Sequence, residues 1–194
     1  MCKYPYFPVK SYDTDWLLFT YIWNASLCVS MDTLSYLDLL VTPFYLVIIY
    51  FISRSVLKSK IENNPEYSLY LPSLTAKLLG ALSLCFVYTL YYRGGDTTQY
   101  FADAVSVNKL LFLEPSKGID IILNGLTVDK LYYFSPETGY PVYFRDSTTS
   151  IVVQVVSVFT VLGFRSYLPT TLLVAWVSFL GIWNLLDRKS TRLN

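Results

Sequence analysis

The stretch LTAKLLGALSLCFVYTLYYRGGD, residues 74–96, decides how the chain is read. From Leu74 to Tyr92 it is apolar over a length that crosses a bilayer, for which about 20 such residues are needed. Arg93, Gly94, Gly95 and Asp96 then end the run. The paired glycines carry no Cβ to restrict φ, so the backbone can turn sharply at the membrane surface. Asp96 is thereby delivered to the water–lipid boundary, and a carboxylate held there can act on a substrate kept in the membrane.

The rest of the composition agrees with a membrane setting. Hydrophobic residues make up 54% of the 194-residue chain and charged residues only 15%, against the roughly 25% of a soluble domain. The 18 tyrosines and 12 phenylalanines suit aromatic belts at membrane–water interfaces. A net charge of +1 gives no basic face for nucleic acid. There is no histidine, which removes Ser-His-Asp catalysis, HExxH zinc chemistry and haem ligation. Cys2, Cys28 and Cys85 are odd in number and widely spaced, so they form neither a disulfide framework nor a zinc site.

Working outward from residues 74–92, the pattern predicts an all-α, polytopic transmembrane bundle with spans at about 36–52, 74–92, 150–163 and 168–186. Pro43 within the first span is tolerated, because membrane helices can re-satisfy the freed carbonyl. The last two spans are separated at Gly163-Phe164-Arg165-Ser166 because Arg165 costs about 2.5–3.5 kcal/mol at a helix centre. Pro169 suits the first turn of a new helix. The span at 150–163 is short and carries Gln154, so it is expected to tilt or to begin earlier. Residues 1–30 are read either as an interfacial segment anchored by Trp16 and Trp23 or as an extension ahead of a start at Met31. The membrane domain is expected over 31–186. Residues 187–194 are expected to be an artefactual tail resembling translated adapter sequence, which would make the chain an N-terminal fragment.

Arg54, Lys58 and Lys60 follow the first span and put the 53–73 connection on the cytoplasmic side. Residues 93–147 then form a long outer loop, in which seven acidic residues outnumber five basic ones. Arg165, in the next turn, falls on the cytoplasmic side. No cleavable signal peptide is evident, for the first apolar segment lacks a strong basic flank and a small-residue cleavage site.

The outer loop should hold the function, since irregular backbone and polar groups cannot face lipid. Tyr100, Phe101, Ala104, Val107, Leu110 and Leu111 recur at helical spacing, which predicts an interfacial helix over Thr97–Leu111. Gly118–Leu126 is a second apolar stretch, followed by an aromatic passage to Phe144. Asp96 is read as a general base, a cation ligand or an acceptor for sugar hydroxyls, with an N-cap for the helix as the plainer alternative. Asp103 is expected to be solvated. Arg93 and Arg145 are candidate phosphate ligands, although both also suit interfacial anchors. Asp146 lies beside Arg145 at the same face and either joins the site or caps the helix that follows. Tyr100 and its neighbouring tyrosines could stack on sugar rings, although aromatic belts explain most of them.

Pro43-Phe44-Tyr45-Leu46, Tyr91–Ala104 and Tyr167-Leu168-Pro169-Thr170-Thr171-Leu172-Leu173 together resemble a Bacteroidetes family of polytopic membrane proteins of poorly known function. More distantly, the layout is similar to GT-C glycosyltransferases. That resemblance implies a bacterial inner-membrane enzyme that uses a polyprenyl-phosphate-linked sugar, with its loop facing the periplasm. It maps the family's outer-loop acid, a catalytic base or metal contact, onto Asp96, and a divalent cation fits such a role. The chain departs from the pattern in having Thr97 where a second acid often stands, and in placing the loop after the second strong span. The alternatives are a polysaccharide polymerase or flippase component, or a non-catalytic membrane scaffold.

Overall fold

A computed structural model describes residues 34–62, 64–144 and 147–193, with side chains in view for all but Ser147 and 188–193. The N-terminal extension, Arg145, Asp146 and most of the expected tail lie outside the described residues or side chains. Among the described residues the protein is all-helical, with no strand.

Helix α1, Tyr36–Lys60, begins on a capping box. Ser35 caps the first turn, while the Asp38 carboxylate accepts the Ser35 N–H at 2.8 Å. The next long run, Pro65–Tyr91, has a 3-10 lead-in over Pro65–Leu69, then α2 over Tyr70–Phe86 and a π-helical turn over Val87–Tyr91. Helices α3 (Asp96–Leu113) and α4 (Pro115–Asn124) follow, then a 3-10 turn at Val128–Tyr133. The last two are α5 (Ser147–Leu162) and α6 (Tyr167–Leu193).

Three of these helices, within Tyr36–Lys60, Pro65–Tyr91 and Tyr167–Asp187, are long and apolar enough to cross a membrane. They pack side by side, α6 touching both α1 and α2. At one end Tyr67, Tyr70, Phe179 and Trp183 form a cluster of rings with centroids 5.1 to 5.8 Å apart. Lipid tails are as apolar as the core, so burial does not drive such helices together and close packing of this kind must. Tyr67 also donates its hydroxyl to Asp187 at this end.

At the other end α1 begins, the π turn finishes and α6 begins. The second Asp38 oxygen accepts the Leu168 N–H at 3.0 Å, and Cys85 meets the Thr171 hydroxyl at 3.3 Å. Asp38 is therefore buried for a reason: it serves the first turns of two helices at once.

The segment expected to be the third span behaves differently. At 16 residues α5 reaches only about 24 Å, short of a hydrocarbon core of about 30 Å. It packs chiefly on α3, and less on α6 and α4, rather than beside α1 and α2. Its buried side is Ser150, Val153, Ser157 and Thr160, with the Ser157 and Thr160 hydroxyls bonded back to carbonyls one turn earlier. An apolar helix of this length reads alike whether lipid or another helix covers it.

The turn between α5 and α6 lies at the end where α1 begins. Tyr45 of α1 donates to the Leu162 carbonyl, and the Tyr167 ring meets Phe101 of α3 with centroids 5.1 Å apart. Arg165 is thus at the same end of the molecule as Asp96, against the expectation that a crossing separates them. Phe164 and Arg165 both take left-handed backbone, φ 53° and 58°, at about 1–2 kcal/mol per residue. The glycine of the turn is spent elsewhere. A Cβ on Gly163 would stand 2.5 Å from the Thr170 hydroxyl and 3.0 Å from its amide nitrogen, so only glycine lets α5 approach α6 this closely.

Candidate functional site

The chain leaves α2 through the π turn, where Tyr92 N–H bonds Val87 O at 3.1 Å and Gly94 N–H bonds Tyr88 O at 3.0 Å. Arg93, Gly94 and Gly95 follow at φ 52°, 150° and 142°. A Cβ on Gly95 would also lie 2.7 Å from the Tyr88 ring, so both its φ and its surroundings call for glycine. The Gly95 carbonyl then accepts the Gln99 N–H at 3.0 Å and the Thr98 hydroxyl at 2.7 Å, which starts α3.

Gly95 is the N-cap, and Asp96 is the first residue of the helix with no capping bond from a side chain. The plainer reading of Asp96 as N-cap is corrected by one residue. Its side chain is exposed and turned to another partner, for the Tyr143 hydroxyl donates to Asp96 Oδ1 at 2.9 Å. The acid and the phenol are 47 residues apart in sequence.

Tyr143 is itself held from two sides. Its ring lies against Tyr100 of α3, centroids 4.9 Å apart, and its N–H donates to Asp103 Oδ2 at 2.8 Å. Burial and the neighbouring Asp96 carboxylate both push the Tyr143 phenol well above its ordinary value, so it keeps its proton and remains a donor. Tyr100 is thus a half-buried support for Tyr143.

Asp103 was expected in solvent and is buried, with 1% of its surface exposed. Its oxygens accept the Val142 N–H at 3.0 and 3.1 Å, the Tyr143 N–H at 2.8 Å and the Gln99 side-chain amide at 2.9 Å. Burial raises its carboxyl above the ordinary range, and the N–H bonds from Tyr143, Val142 and Gln99 oppose that shift. This carboxylate is the clamp that holds residues 142–143 against α3. Five residues further along α3, Asn108 is fully buried with neither side-chain atom bonded among the described residues.

The remaining candidates are placed less centrally. Arg93 is exposed, three residues before Asp96, and forms no ion pair among the described residues. Arg145 and Asp146, candidate phosphate ligand and neighbouring acid, lie outside the described residues. Tyr91, Tyr92 and Tyr132 are exposed, as interfacial aromatics are. A groove of about 520 Å³ runs between the Leu123–Asp129 loop and Ser150, Ile151 and Gln154, with Phe144 on its wall. Asp96 is not among its lining residues. Among the described residues, no group of three or more Cys, Asp or Glu is gathered to hold a metal ion.

Sequence reasoning singled out Asp96 and Tyr100, which the structure places beside Tyr143, but not the burial of Asp103, Tyr143 as a donor, or Asp38. Ser35-Tyr36-Leu37-Asp38 carries the capping-box spacing and could have exposed the last of these. Nothing local marks Asp103, whose partners are mostly backbone N–H groups about 40 residues away. No family model matches the chain, and no curated protein or solved structure matches it.

Proposed function

We propose that the protein is part of a GT-C-like glycosyltransferase of a bacterial inner membrane, a multi-pass chain with the α3–α5 unit facing the periplasm. The observation that supports this most is Asp96 itself. It is an exposed carboxylate at a helix N-terminus, at the end of an apolar run long enough to span, and it is oriented by the hydroxyl of Tyr143. In the reaction, Asp96 takes the proton of an acceptor hydroxyl as that oxygen bonds to the anomeric carbon of a lipid-linked sugar. The bond from that carbon to the phosphate oxygen breaks, and its electron pair leaves with the polyprenyl phosphate. Arg93 supplies a planar set of donors for that phosphate. The Tyr143 hydrogen bond fixes which carboxylate lone pair faces the acceptor.

A scaffold reading has its own support. Asp103 and Asp38 both tie distant backbone together, and Asp96 accepting from Tyr143 does the same across 47 residues. The substitution Asp96→Asn separates the two, because asparagine still accepts the phenol but cannot take up a proton as a base. Membranes carrying the variant are assayed for sugar transfer from polyprenyl-phosphate donors. The glycosyltransferase reading expects transfer to fall by about 100-fold or more at unchanged expression, the size typical of losing a general base. Unchanged transfer, or none in wild-type membranes, favours the scaffold.

A further inference from the structure

We propose that the α5–α6 turn and the first half of α1 form a binding site for an anionic glycerophospholipid of the adjoining leaflet. The proposal is independent of any catalytic role for Asp96. Phe164 closes a groove of about 430 Å³ whose other walls are Leu40, Val41, Phe44, Tyr45 and Ile48 of α1. The lining is almost wholly apolar, and it continues the exposed face of a helix long and apolar enough to span the membrane. The exposed side of α5, Ile151, Val155, Val158 and Leu162, is likewise apolar and uncharged. An acyl chain is the occupant that such a surface meets in a bilayer.

The backbone shows that this wall is built at a cost. Phe164 is 74% exposed yet sits in left-handed backbone, where glycine would be unstrained. A phenyl ring retained there, turned onto α1, fits a chain-covering role.

The residue after it supplies the charge. The Arg165 guanidinium lies over the Phe112 ring, 4.7 Å from its centroid. Stacking occupies the face of the group and leaves its in-plane N–H donors available for a phosphate. Those donors meet no acceptor, and the group forms no ion pair, among the described residues. A cation with free edges, one residue beyond an apolar groove at the end of a span, is the arrangement that recognises a phosphate joined to an acyl chain.

The full chain is purified in mild detergent, exposed to equal phosphatidylglycerol and phosphatidylcholine, and washed. Retained lipid is then counted by native mass spectrometry. Wild type is expected to retain phosphatidylglycerol over phosphatidylcholine by about ten-fold, because both carry the phosphodiester but the choline ammonium of phosphatidylcholine cancels its charge and opposes the Arg165 guanidinium. Arg165→Gln should bring the ratio near one. Phe164→Gly, which relieves the backbone and so preserves folding, should lower retention of both lipids. Inorganic phosphate at millimolar concentration should displace neither, because it lacks the chain. Equal retention of the two lipids by wild type overturns the proposal. So does an unchanged ratio in Arg165→Gln, or displacement by phosphate alone.

Discussion

Replacing Asp103 with alanine should release the segment that carries Tyr143. The side chain accepts the Val142 and Tyr143 N–H groups and the Gln99 amide in a site with 1% exposure. Without it, two backbone donors lose their acceptor. Each buried donor left unpaired costs about 1–3 kcal/mol, so the gross penalty is about 2–6 kcal/mol. Part of this returns, because the wild-type carboxylate is itself desolvated, as its raised pKa shows, and because water can reach the loop from Tyr143 outward. A net local cost of about 2–4 kcal/mol remains, enough to increase the opening of residues 135–144 by about 30- to 1000-fold. Hydrogen exchange followed by mass spectrometry on the protein in nanodiscs reads this directly. Peptides covering 135–144 should exchange faster by that factor while those from α1 and α2 keep wild-type rates. Unchanged protection of 135–144 would refute the assignment of Asp103 as the clamp; accelerated exchange throughout the chain would show a global role instead.

The same carboxyl predicts a pH dependence. Its folded pKa is raised, so the folded state holds the proton at pH values where the unfolded chain, near 3.9, has lost it. The stabilisation is therefore present at low pH and is lost as pH rises through the folded value. Thermal unfolding in detergent should show a difference between wild type and Asp103→Asn that changes across this window and is flat well above it. A difference that is constant from pH 4 to 8 would contradict the shift. Gly163→Ala should cost about 1–3 kcal/mol, as overpacking does, because its Cβ would meet Thr170 at 2.5 Å; a melting temperature equal to wild type would show that α5 and α6 move apart freely.

Much of the helical frame was legible in the sequence. The spans expected at 36–52, 74–92 and 168–186 correspond to Tyr36–Lys60, Pro65–Tyr91 and Tyr167–Asp187, each longer at an end where polar residues continue the helix. The α5 stretch was visible as a helix, but its setting was not, because its exposed side, Ile151, Val155, Val158 and Leu162, is as apolar as a lipid-facing span while α3 covers the other side. Asp96 could be found because a glycine pair and an acid after a long apolar run form a local pattern. Its partner Tyr143 could not, since the contact depends on how residues 114–142 fold back over α3. Asp103 was misread for the same reason: its place in the helical pattern says polar, while its burial is set by a loop elsewhere in the chain.

The central structural claim is that the α3–α5 unit and the α5–α6 turn lie at one end, so that no crossing separates Asp96 from Arg165. Single cysteines at Ser116, Arg165 and Ser59, in a chain with Cys2, Cys28 and Cys85 replaced by serine, are tested in intact cells with a membrane-impermeant maleimide. All three positions are exposed in the structure. Positions 116 and 165 should label together, with 59 opposite to them in behaviour and changed only when the membrane is opened. Labelling of 165 together with 59, and apart from 116, would mean that α5 crosses the bilayer and would contradict the account.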